Sequence, residues 1–177
     1  LNVILKERAP RLVVVRTPQE LWAATPEAQI GTANAQRAKD LKARRRASAF
    51  ITSMSNIAQT QLENGRDFSV ELPTRTTSIT TKDLGVLLGN SSVACAVGSG
   101  CQYGCTDSRN VPMRRNTSWY SSAPQIIDHL NQLCGNDHCH GELKEQVDLR
   151  RFANMTTKTA DCLLKGYAAM LADKEPD

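Results

Sequence analysis

All six cysteines of this 177-residue chain fall between Cys95 and Cys162, and the first 94 residues contain none. Clustering of this kind leaves two kinds of structure open. In an oxidising compartment the thiols pair into bridges, and in a reducing one they hold a metal or react. An even number confined to one region favours disulfides among Cys95, Cys101, Cys105, Cys134, Cys139 and Cys162, in a pairing that spacing leaves undetermined. Zinc is the rival use of the same atoms, because Cys101 and Cys105 are followed by Cys134, His138, Cys139 and His140. Their spacings differ from the C-x2-C knuckles of zinc ribbons, which weighs against that use. A third use is a nucleophilic thiol at Cys95, Cys101 or Cys105 with His129, His138 or His140 as base. No glycine-flanked nucleophile signature accompanies any of them.

The chain is long enough to bury a core without bridges, so disulfides would reinforce its folding rather than replace that core. No apolar run reaches the roughly 18 residues of a membrane span. Net charge is +4, and most of the excess lies in one stretch that sets Arg37, Lys39, Lys42, Arg44, Arg45 and Arg46 against Asp40. A solvated helix face is the ordinary use of such a stretch. Phosphate binding is the less favoured one, since Phe50 is the only aromatic residue nearby to stack on a base. Arg44-Arg45-Arg46 before Ala47 is also the multibasic type of sequence that maturation proteases cut, which would make the residues up to about 46 a pro-segment.

Local patterning gives an intermixed order of elements. Val13, Val14 and Val15 read as a short buried strand, with Val3–Leu5 as another candidate. Thr17-Pro18-Gln19-Glu20 carries a capped helix start and leads into a short helix through Leu21 and Trp22. Thr25-Pro26-Glu27 repeats that signal, and no proline follows before Asn64-Gly65, a natural left-handed stop. A single helix across that span would be about 58 Å long. A break, a protruding arm or a partner chain is therefore expected. Its second half sets Ala47, Phe50, Ile51, Met54, Ile57, Ala58 and Leu62 in one apolar stripe.

Further along, Phe68–Leu72 alternates as a half-buried strand does, with Thr76–Thr81 as a second candidate and Lys82–Leu88 as a short helix. Ser91–Val97 resumes strand character, and 101–116 reads as loop. Pro124 starts a helix whose Ile126, Ile127, Leu130, Leu133 and Cys134 share a face up to Gly135. Val147–Phe152 is a weak strand candidate. The last helix, from about Thr157 to Ala172, turns Ala160, Leu163, Leu164, Tyr167, Ala168 and Leu171 inward, and by that periodicity Cys162 points away from the core.

The fold class expected is α+β: a helical N-terminal region over 1–65 with a long basic, amphipathic helix, then a disulfide-stapled α+β unit over 66–177. Sequons at Asn90, Asn116 and Asn154 suit a secreted glycoprotein. No phosphate loop, dinucleotide fingerprint, nucleophile elbow or HExxH motif occurs, and no cofactor is implied. The expectation is a secreted, disulfide-stabilised, non-enzymatic protein of toxin or effector type that binds a protein or cell-surface partner, with self-association through the long helix. Its rivals are a cysteine-dependent hydrolase and an intracellular zinc- or nucleic-acid-binding assembly component.

Overall fold

The computed structural model describes residues 8–18, 33–74, 85, 89–141 and 154–174, with the backbone alone for 33–44 and 47. Its elements are strand β1 (Leu12–Val15), helix α1 (Ala33–Glu63), strands β2 (Asp67–Pro73), β3 (Ala94–Ser99) and β4 (Asn116–Ser121), and helices α2 (Pro124–Leu130) and α3 (Thr157–Lys174). The four strands form one mixed sheet in the order β1-β2-β4-β3. β1 runs parallel to β2, as a strand reached through a helical crossover can, while β4 is antiparallel to both of its neighbours. The fold is α+β, as the intermixed order of elements implies.

Alternation along the strands sends side chains to two covered faces. Phe68, Val70 and Leu72 of β2 meet Ile51, Met54 and Ala58 of α1, all essentially inaccessible to water. On the opposite face Ala96 and Trp119 pack with Ile126 and Leu130 of α2 and with Cys162, Leu163 and Met170 of α3. Each large apolar side chain so buried stabilises the fold by about 1.5–3 kcal/mol. α1 ends as its sequence requires. Gly65 takes a left-handed φ of 64°, and the amides of Gly65 and Arg66 return to the carbonyls of Leu62 and Gln61 at 3.0 and 2.8 Å. Gln61, inward on the last turn, donates to the carbonyls of Pro10 and Asp67 at 3.0 and 2.9 Å, so the helix end fixes both parallel strands.

Several expectations are corrected. The triple valine forms an edge strand, and Val14 is exposed. β4 lies in the middle of the sheet although its polar sequence, Asn-Thr-Ser-Trp-Tyr-Ser, begins where a loop is expected to end. α2 stops at Leu130, leaving Leu133 exposed and freeing Cys134 from any helix. α3 is rotated from the expected orientation: Thr159, Cys162, Leu163, Gly166 and Met170 are buried, whereas Leu164 is 64% exposed. Gly166 is the physical reason. A Cβ there would meet the Ile126 backbone at 2.5 Å, so α3 approaches α2 along the one line where it carries no side chain. The candidates at Val3–Leu5, Thr17–Trp22, Thr76–Leu88 and Val147–Phe152 lie wholly or mostly outside the described residues. Among the described residues no helix is long and apolar enough to cross a membrane.

Candidate metal centre

All six cysteines are free thiols, so the three expected bridges are not formed. One group of side chains converges instead. The ligand atoms of Cys101, Cys134, His138 and His140 all lie within 4.8 Å of one another. Cys134 Sγ stands 3.3 Å from His140 Nε2 and 3.9 Å from His138 Nε2, and the two imidazole centroids are 4.5 Å apart. For a tetrahedral zinc ion with Zn–S of about 2.3 Å and Zn–N of about 2.0–2.1 Å, trigonometry puts neighbouring S and N ligands about 3.5 Å apart. The observed separations bracket that value.

Local structure explains why these four meet. Cys101 sits in the turn that follows β3, and Cys134 in the segment that follows α2. Ser99 joins the two: its amide donates to the Gln132 carbonyl at 2.9 Å, and its hydroxyl accepts from the Cys134 amide at 3.1 Å while donating to Asn116 at 2.9 Å. Past Cys134 the chain turns back at Asn136, whose φ of 61° falls in the left-handed region that asparagine tolerates, and the Asn136 amide donates to Cys134 Sγ at 3.3 Å. His138 and His140 are two apart in non-helical chain, so they can share a side while Cys139 is exposed. Beyond them the Gly141 amide donates to the Pro112 carbonyl at 2.8 Å. A Cβ on Gly141 would meet Asp107 Oδ2 at 2.6 Å, so glycine is needed for this approach. Asp107 in turn holds its own loop by accepting from the amides of Arg109 and Val111.

The electrostatics suit metal coordination better than catalysis. His138 Nδ1 lies 2.7 Å from the Asp137 carboxylate, an acceptor that orients the ring with Nε2 towards the cluster. His140 is held below the usual imidazole range by burial, by neighbouring His138 and by Arg114, so its ring is neutral at pH 7. Burial and the adjacent Cys134 thiol push Cys101 up to about 11. That is the wrong direction for a nucleophile working near neutrality, and a metal reverses it by replacing the proton. Four protein donors also complete a tetrahedron, the arrangement of structural rather than catalytic zinc.

The remaining predicted residues lie apart from this cluster. Cys95 is exposed on β3 opposite Tyr120. Cys105 is buried against Met113 and Trp119, and burial pushes its thiol up to about 11. Cys162 is buried on α3 and accepts from Gln132 Nε2 at 3.2 Å. His129 closes the last turn of α2. Arg45 and Arg46 are exposed on continuous helix, as part of α1. A protease takes extended chain, so cleavage beside Arg44, Arg45 and Arg46 requires that part of α1 to unwind. Asn154 is exposed, Asn90 is half-buried, and Asn116 is committed to Ser99. Comparison with protein-family models, with curated proteins and with solved structures found no match.

Proposed function

We propose that this chain is a zinc-binding protein, with Cys101, Cys134, His138 and His140 as ligands of a structural Cys2His2 centre. In this reading it acts by binding a partner and not by catalysis. The observation that supports it is the convergence of two sulfurs and two imidazole nitrogens within 4.8 Å. The ion would pin the turn after β3 to the segment 134–141, a region with little regular structure of its own. Intact thiolates of this kind belong to a reducing compartment, which makes an intracellular location part of the proposal. The secreted toxin or effector reading requires the six thiols to pair, and intact mass before and after reduction separates the two.

The direct test is elemental analysis of protein purified without chelator. One zinc per chain is expected, and replacement by cobalt(II) should give the visible absorption of a tetrahedral centre with thiolate ligands. Protein that takes up neither ion after reduction would refute the assignment.

A further inference from the structure

We infer that the centre is also a redox device, in which a peroxide oxidises Cys101 and Cys134 to a disulfide and expels the metal. This inference rests on the zinc reading above and adds regulation to it.

The geometry singles out this pair. Of the six thiols, only these two belong to the group of converging ligand atoms. Cys105 and Cys162 are buried, as Cys134 is, but they stand outside that group, and Cys95 and Cys139 are exposed outside it. A disulfide needs its sulfurs at about 2.05 Å with the two backbones already close. Closeness of backbone is what Ser99 supplies, through its bonds to the Gln132 carbonyl and the Cys134 amide at 2.9 and 3.1 Å. The two sulfurs lie within 4.8 Å, so rotation of side chains in a turn and a non-helical segment covers the remaining distance.

The chemistry balances with hydrogen peroxide as the named oxidant. One thiolate attacks a peroxide oxygen and the O–O bond breaks, giving a sulfenic acid and hydroxide, which takes a proton to become water. The second thiolate attacks the sulfenic sulfur, the S–S bond forms, and a second hydroxide leaves and is protonated. Two electrons pass from sulfur to oxygen. Both anionic ligands are consumed, and the two imidazoles left cannot complete a tetrahedron, so the ion departs. Reduction of the bridge regenerates the site.

Zinc content is measured first on the reduced, reconstituted chain, then followed with a chromogenic chelator during titration with hydrogen peroxide, beside intact mass and peptide mapping. The expected result is zinc release in step with a mass loss of about 2 Da, a bridge mapped to Cys101 and Cys134, and rebinding after a thiol reductant. The Cys95→Ser/Cys139→Ser double variant should behave identically. Absence of zinc at the outset would overturn the metal assignment itself, and this inference with it. Zinc bound normally but retained through oxidation would overturn the redox device alone. So would release that accompanies a bridge to any other cysteine, or oxygen addition in place of bridging.

Discussion

Tyr103 occupies the space that a side chain at position 98 would need: a Cβ on Gly98 would stand 1.8 Å from the phenol oxygen and 2.3 Å from Cζ. The same hydroxyl donates to the Leu130 carbonyl at the end of α2, so one buried ring ties β3, the turn carrying Cys101 and the start of the segment carrying Cys134. Gly98→Ala forces the ring outward and breaks that bond. Overpacking costs about 1–3 kcal/mol and the lost hydrogen bond about 1 kcal/mol, so a fall in stability of about 2–4 kcal/mol is expected by urea unfolding. Zinc affinity should fall with it, because the ligands on both sides of the ring lose their common support. A variant as stable as the parent would show that Tyr103 has another place to go.

Thiol accessibility gives a second prediction. In the zinc-loaded chain at pH 7.5, iodoacetamide should modify Cys139 and Cys95 only, since both are exposed. Cys95 should trail, because partial burial holds its thiol above the ordinary range. Chelation should add Cys101 to the reactive set, slower than Cys95 because burial and the neighbouring Cys134 push its thiol up to about 11. Cys134 is itself buried and stays protected until the chain unfolds. Cys105 and Cys162 should react only after unfolding, which peptide mapping of the alkylated protein would reveal.

How far these features were legible in the sequence depends on the physics behind each. The strand character of β1 and β2, though not their parallel pairing, the stripe of α1 and its Asn64-Gly65 stop could be read because periodicity and a left-handed glycine are local signals. β4 could not. Four of its six residues are Asn, Thr or Ser, and it earns a central place through the strands on either side and through Trp119, which is wholly buried. Cys101, Cys134, His138 and His140 all stand among the residues a zinc site could use, but spacing does not separate them from Cys105 and Cys139, for a related reason. The partner of Cys101 is Cys134, brought near by Ser99, and hydrogen bonds across more than thirty residues leave no spacing rule behind. His138-Cys139-His140 did carry a signal, since alternation in extended chain sets two imidazoles to one side. Six cysteines in one region point to bridges as well, which masks that signal.

Zinc binding should release a proton from Cys101. The free thiol, pushed up to about 11, is protonated at pH 7, and the ion needs it as thiolate. His140 works in the opposite sense, because its lowered proton affinity leaves it neutral and ready at that pH. Apparent affinity should therefore rise with pH across the neutral range, as the Cys101 proton becomes easier to displace, and collapse in acid, where protons compete for His140 as well. Calorimetry in two buffers of different ionisation enthalpy measures the proton count. A binding enthalpy independent of buffer would contradict the ligand set.

Glu71 tests the sheet that carries the centre. Its carboxylate is 2% exposed on β2, where it receives the Arg16 guanidinium and, at 3.1 Å, the Thr117 hydroxyl. Glu71→Gln keeps an acceptor for Thr117 but removes the negative charge facing Arg16. Breaking one side of a fully buried pair costs about 3–5 kcal/mol. Arg16 is 17% exposed and retains some contact with water, so the lower end, about 3 kcal/mol, is expected here. Removing both charges with Arg16→Met and Glu71→Leu should cost less than Glu71→Gln alone. Two desolvation penalties then vanish together, and Thr117 keeps its bond to the Leu72 carbonyl at 3.1 Å. Unfolding midpoints of the single and double variants decide the matter. A double variant weaker than the single one would mean that the ion pair contributes net stability, and the sheet would then depend on charge as much as on the apolar faces that enclose it.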